Sequence, residues 1–228
     1  MSRSSRVAID LFFDVISPYS WIGFEALMRY KQVWPIDVCL RPFYLAAVIK
    51  ATKNPGAPLM VPEKKSYMDL DLRRNADYWN IPISLPENFK ELVFSKSSTS
   101  ALRLLLAIQE QQPSLVEGTA RAMFSRLFTT DHKGIFSEDD LRQVLKASKV
   151  EDEGALLHLA SSDGVKSKLR TNTDEALSQG CFGAPWMHVR SEGRVEPFFG
   201  SDRLPLIGHL IGHQYEGPLN HLATSTPV

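Results

Sequence analysis

Ser17 and Ser20 stand three residues apart where an apolar segment gives way to a helical pattern. The run before them, Leu11-Phe12-Phe13-Asp14-Val15, is apolar and aromatic and reads as a short buried strand. Pro18 suits the first turn of a helix, where its missing N–H has no intrahelical partner to lose. The Ser17 hydroxyl is therefore expected beside the unpaired N–H groups of a helix N-terminus, a place that favours an anion. Two serines cannot run dithiol–disulfide exchange, because that reaction needs an attacking thiolate and a thiol leaving group. They can stabilise a thiolate that belongs to another molecule. The same residues also serve structure alone, since serine is a common helix cap. Covalent attack by Ser17 would need an adjacent base. No G-x-S-x-G elbow surrounds it, and His132, His158, His188, His209, His213 and His221 stand in no motif, so each reads as a surface or structural histidine.

The elements that must position Ser17 follow from the pattern. Val7–Val15 is the first strand, and Trp21, Phe24, Leu27 and Met28 mark a helix over Ser20–Val33 that Pro35 stops. Ile36–Pro42 alternates and forms a second strand, so the opening is strand–helix–strand with the strands parallel. Residues 52–62 are loop by their Asn, Gly and Pro content. Helices follow over Lys64–Tyr78, Ser100–Gln112, Ser114–Phe128 with a capping box from Ser114 to Glu117, a segment capped by Ser137 and Asp140, Val150–Ala160 and Asp163–Gln179. Asn80–Pro86 is extended. Trp186–Val189 and Val195–Phe199 flank a turn at Ser191-Glu192-Gly193 and make a hairpin, and a last helix runs through Leu204, Ile207, Leu210 and Ile211. Strands at both ends of the chain can share one sheet, with the helical block inserted between them.

The chain has 228 residues, 43% hydrophobic and 23% charged, enough for a sizeable core. Lys+Arg and Asp+Glu both number 26, and this neutrality argues against a dedicated nucleic-acid or anionic-membrane binder. No run is long enough to insert into a membrane as a helix. The two cysteines, Cys39 and Cys181, make no metal-ligand spacing, so no metal is expected, and both read as buried thiols in a reduced intracellular setting. Cys181 lies close to the expected site and is a candidate for modification. The first six residues, MSRSSR, hint only weakly at organelle import, and Thr226-Pro227-Val228 is no peroxisomal address.

Four motifs together resemble the kappa-class glutathione transferases over nearly the whole chain. They are Phe13-Asp14-Val15-Ile16-Ser17-Pro18-Tyr19-Ser20-Trp21, Leu40-Arg41-Pro42, Phe182-Gly183-Ala184-Pro185 and Phe199-Gly200-Ser201-Asp202-Arg203. The resemblance implies an α/β fold in which a thioredoxin-like domain, residues 1–60 and 180–228, is interrupted by an all-helical insertion, residues 61–179, as in DsbA. Ser17 and Ser20 then occupy the place of a redox Cys-x-x-Cys pair. The resemblance further implies that Ser17 donates a hydrogen bond to the glutathione sulfur, with Pro18 and Tyr19 in the same binding segment. Asn54 and Lys64 would hold the tripeptide from the loop and following helix. Ala184, before a cis Pro185, would offer its backbone to the cysteinyl part, and Ser201 and Asp202 would hold the γ-glutamyl end. The implied reaction is conjugation of glutathione to a small electrophile, or reduction of a hydroperoxide. The rivals are a glutathione-dependent isomerase of the 2-hydroxychromene-2-carboxylate type and a non-catalytic thioredoxin-like binding protein. The family also implies a homodimer and a mitochondrial, peroxisomal or cytosolic address. Taken alone, the same residues have plainer readings: Asn54 a turn, Lys64 a solvated cation, Pro185 the start of a strand, Ser201 and Asp202 an N-cap pair, and Phe12, Trp21, Phe24, Phe43 and Tyr44 core rather than pocket.

Overall fold

The structure is a computed structural model and describes residues 6–55, 57–191 and 193–224. The readings made for the first five residues, for Glu192 in the hairpin turn and for Thr226-Pro227-Val228 lie outside the described residues. In chain order the elements are β1 (Val7–Phe13), α1 (Pro18–Tyr30), β2 (Ile36–Pro42), α2 (Leu45–Thr52), α3 (Pro62–Trp79), α4 (Phe89–Ser95), α5 (Thr99–Gln111), α6 (Val116–Phe128), α7 (Glu138–Ala147), α8 (Glu153–Ala160), α9 (Asp163–Ser178), β3 (Trp186–Ser191), β4 (Arg194–Phe199) and α10 (Leu204–Leu210).

The four strands form one mixed sheet in the order β2-β1-β3-β4. β1 runs parallel to β2, with Leu11 opposite Leu40, and antiparallel to β3, with Phe12 opposite Trp186. Elements from the two ends of the chain therefore share one sheet. β1 is buried on both faces, which is why it reads as a near-continuous apolar run. Ile9, Leu11 and Phe13 face the main core. Phe12 points the other way, into a smaller cluster with Phe43, Val48, Ala176, Cys181 and Trp186.

All of α1 except Tyr19 is buried, so the helix that carries Ser17 has little freedom to move. Trp21 stacks on Phe124 of α6 with ring centroids 6.0 Å apart, and Phe13 and Phe24 pack on the same ring. Glu25 lies beneath this cluster. Its carboxylate accepts from Arg121 Nε at 2.8 Å, from the other arm of that guanidinium at 3.1 Å and from Trp21 Nε1 at 3.2 Å. At the far end of α1, Arg29 donates to the carbonyls of Pro218 and Trp79, which draws the chain's last segment and α3 onto the helix.

Three elements depart from the sequence-based expectation. Helices α2 and α4 were not expected, because each is only two turns long and abuts residues rich in Pro, Asn and Ser. The capping box between Ser114 and Glu117 does not form. A 3-10 turn over Pro113–Leu115 makes Leu115 the cap of α6, and Glu117 pairs instead with Arg121 at 3.1 Å. The cap of α7 does form, with Ser137 and Asp140 bonding to each other's backbone N–H.

Candidate active site

Ser17 caps α1. Its backbone is extended (φ −99°, ψ 115°), and its Oγ accepts from the Ser20 N–H at 3.2 Å. That bond uses an acceptor site of the hydroxyl, and the hydroxyl proton has no acceptor among the described residues. Ser17 is 6% exposed and opens into a cavity of about 480 Å³, within the range of small-molecule sites.

The cavity is lined by Ser17, Pro18, Tyr19, Asn54, Ala184, Ser201 and Asp202 together, although these residues come from four separate stretches of chain. Lys64 stands apart from it. It lies exposed in an adjoining depression that shares Tyr19, Pro58 and Met68 with the cavity. Asn54 Nδ2 donates to the Phe182 carbonyl at 2.8 Å, joining the loop after α2 to the loop before β3. Tyr19 donates its hydroxyl to Asp71 on α3 at 2.8 Å, and burial, then that carboxylate, push its pKa far above the ordinary value, so it stays a protonated donor.

The Ala184–Pro185 peptide is cis. Neither the amide nor the carbonyl of Ala184 has a backbone partner among the described residues, so both are available to an extended peptide. Gly23 lets α1 pack against this turn: a Cβ there would sit 3.0 Å from Pro185 Cγ and 3.7 Å from Ser201 Cα. Ser201 and Asp202 are not the cap of the last helix. Arg203 takes that place, because a turn at Gly200, with φ +101°, carries the chain past them. Ser201 is nearly buried, while Asp202 is exposed and held by Arg203 at 2.7 Å.

Sequence reasoning missed Asp71 and Asn75, which reach the cavity from one face of α3. Nothing in their spacing marks them beyond the i, i+4 interval. It also left unassigned Phe182 and Phe199, which pack ring against ring at 4.5 Å on the cavity wall, although both lie in the quoted motifs. Phe12, Trp21, Phe24 and Phe43 are fully buried core, as read from the sequence, and Tyr44 is half-buried against the core.

The reading of both cysteines as buried needs correction. Cys181 is buried, its thiol donates to the Gly183 carbonyl at 3.2 Å, and burial pushes its pKa to about 11, which makes it a poor target for modification. Cys39 is exposed, on the same face of β2 as the exposed Asp37 and opposite to that of the buried Ile36 and Leu40. A thiol reagent should label one cysteine per folded chain, at Cys39, and a second only after denaturation. Labelling of Cys181 in the folded protein would contradict this placement.

Among the described residues one group has the spacing of metal ligands, Asp10, Glu175 and His188. Its charges are already balanced. Arg190 reaches Asp10 at 2.6 Å and Glu175 at 3.0 Å, Arg41 pairs with Glu175, and His188 Nε2 accepts from Trp186 Nε1 at 2.9 Å. Burial lowers the His188 pKa, which keeps the ring neutral and able to accept that bond.

Asp14 is fully buried three residues before Ser17, and its carboxylate accepts from the backbone N–H groups of Ile16 and Leu45 and from Ser98 Oγ. Burial outweighs these three bonds and raises its pKa from 3.8 to about 6. A raised carboxyl pKa favours the native state below the unfolded value, and that advantage is lost as pH rises through the native value. Relative to Asp14→Asn, the wild type should lose about 2.5 kcal/mol of stability between pH 4 and 7, most of the full shift at about 1.4 kcal/mol per pKa unit. Denaturant titrations of both proteins at each pH would test this, and parallel stability profiles would contradict it.

The fold defines a class, a thioredoxin-like protein interrupted by helices. Residues 8–212 match the family model described as a DSBA-like thioredoxin domain. Within that class, "Glutathione s-transferase kappa 2" of Caenorhabditis elegans is 41% identical over 94% of this chain and 96% of its own. "Glutathione S-transferase kappa 1" of Rattus norvegicus is 36% identical over 96% of each. A solved 2-hydroxychromene-2-carboxylate isomerase shares the fold with a TM-score of 0.72 and 22% identity, over 90% of this chain and 94% of its own. The chain belongs to the kappa-class glutathione S-transferases, a family of enzymes.

Proposed function

We propose that the protein binds glutathione in this cavity, stabilises its thiolate through Ser17 and transfers it to a small electrophile. The observation that carries this reading is the Ser17 hydroxyl. Its oxygen is engaged by the helix and its proton has no acceptor among the described residues, beside the cis Ala184–Pro185 turn on the same cavity. A free thiol has a pKa of about 8.5, so only a few per cent is ionised at neutral pH. Bringing it to about 6.5 needs roughly 2.7 kcal/mol of preference for the charged form. A helix N-terminus gives about 0.3–1 kcal/mol, at most ~2. A hydrogen bond to a charged acceptor adds about 1.5–3 kcal/mol. The two together suffice, and the thiol proton passes to water. The thiolate then forms a C–S bond while the leaving group departs with its electron pair.

In this reading Ala184 pairs its backbone with the cysteinyl residue, Ser201 and Asp202 receive the γ-glutamyl end, Asn54 keeps the two loops together, and Lys64 meets a carboxylate from the adjoining depression. Leu45, Ile49, Met68, Phe89 and Val93 leave an apolar wall for the electrophile. We assign glutathione binding to residues 1–60 and 180–228, and the opposing wall to the insertion, residues 61–179. Hydroperoxide reduction by the same thiolate, a homodimer and a mitochondrial address belong to the proposal.

The test is to incubate the protein with glutathione and an activated aryl chloride, and to analyse the products by mass. A glutathione conjugate formed faster with enzyme supports the proposal. Turnover of a 2-hydroxychromene-2-carboxylate without any conjugate would assign it to isomerisation, and no retention of glutathione would leave a binding module. Asp202→Ala should raise the KM for glutathione about tenfold, the worth of one lost charge-assisted bond; an unchanged KM would remove Asp202 from the site.

A further inference from the structure

We propose that Asp14 is a positioning residue for thiol activation, fixing Ser17 relative to the α2 wall of the cavity by joining three helix N-termini at one carboxylate. The inference rests on the reading of Ser17 given above. One carboxylate oxygen accepts from the Ile16 N–H at 3.1 Å. The other accepts from the Leu45 N–H and from Ser98 Oγ, both at 3.0 Å. The Asp14 carbonyl accepts from the Ser17 N–H itself, at 3.0 Å. Ile16 precedes α1, Leu45 opens α2 and Ser98 caps α5, so one side chain reaches the starts of all three helices.

Two details show that the neighbours are arranged around Asp14. Ser98 stands at the N-cap of α5 and accepts the Leu102 N–H with its carbonyl, but its side chain makes no capping bond, the hydroxyl being turned to Asp14. Tyr44, the N-cap of α2, has no capping side-chain bond either, and the first N–H of α2 goes to Asp14. Ile16, Ser17 and Leu45 all line the cavity, so a shift of the carboxylate moves the thiol end and the apolar wall together. An ionised carboxylate accepts all three donors. An asparagine cannot, because its amide nitrogen is a donor and must face one of them.

Position and charge make opposite predictions. If Asp14 acted chiefly through its charge, its removal would ease ionisation of a nearby thiol, because like charges disfavour each other. If it positions Ser17, its removal hinders ionisation. The experiment follows thiolate absorbance of bound glutathione against pH, with steady-state kinetics on an activated aryl chloride, for wild type, Asp14→Asn, Ser98→Ala and Ser98→Thr. For Asp14→Asn the bound-thiol pKa should rise by about one unit and kcat at pH 5.5, below that pKa, fall about tenfold, while the glutathione dissociation constant changes less than about threefold. Ser98→Ala should move in the same direction by a smaller step, about threefold, and Ser98→Thr, which keeps the hydroxyl, should match wild type. A bound-thiol pKa that is unchanged or lowered in Asp14→Asn overturns the proposal. If that variant does not fold, the Ser98 pair decides alone, and equal behaviour of its alanine and threonine forms overturns it. Failure of the underlying reading would show separately, as a wild-type bound thiol that ionises no lower than free glutathione.

Discussion

Replacing Ser17 by alanine is expected to lower glutathione conjugation at pH 5.5, below the bound-thiol pKa, about 10- to 100-fold while leaving tripeptide binding nearly intact. The substitution removes one hydroxyl from a nearly buried site and leaves the helix start, with Pro18 and the Tyr19 backbone, in place. A bond to a charged acceptor is worth about 1.5–3 kcal/mol, which is one to two pKa units of the bound thiol. The cap of α1 is lost with it, at about 1 kcal/mol of stability. That loss is small against the packing of a helix buried along all but one residue, so the folded protein persists. Initial rates across pH separate the effects: the alanine variant should recover towards wild type as pH approaches the free thiol's pKa, because more glutathione ionises unaided. A deficit independent of pH would point to misplacement of glutathione rather than to lost activation.

Glu25→Ala is expected to be the most destabilising single change in the neighbourhood of the site. Arg121 is buried, with a side chain 4% exposed, and Glu25 is its buried partner through two bonds. Removing the acid leaves a buried guanidinium with only the half-exposed Glu117, and deprives the Trp21 indole of its acceptor. Breaking a buried pair this way costs about 3–5 kcal/mol. For a chain of this size that corresponds to a fall in Tm of roughly 6–20 °C. Below its Tm the variant should still bind glutathione, since Glu25 does not line the cavity. A melting curve within a degree or two of wild type would show that α1 does not depend on this pair.

The sheet was legible because its signals are local. Val7–Phe13 and Ile36–Pro42 carry β-branched and aromatic residues between turn signals, and the hairpin from Trp186 to Phe199 follows the same pattern. Helices α2 and α4 were not legible, because each is stabilised by what it packs against, and the first N–H of α2 donates to the Asp14 carboxylate, 31 residues earlier. The site was legible in its motif-bearing half. Ser17, Ala184, Ser201 and Asp202 meet because the strands that precede or flank them share one sheet. Its other half was not, because Asp71 and Asn75 reach the cavity only through the placement of α3, which no sequence spacing sets. Cys39 was misread for a related reason: alternation along β2 gives a face, but not whether a helix covers that part of it.

The most direct test of the central claim is the pKa of the glutathione thiol in its complex with the wild-type protein, read from thiolate absorbance during a pH titration. Activation by Ser17 and the α1 N-terminus predicts ionisation about two units below the free value of ~8.5. A bound thiol that ionises at the free value would mean that the cavity holds glutathione without activating it.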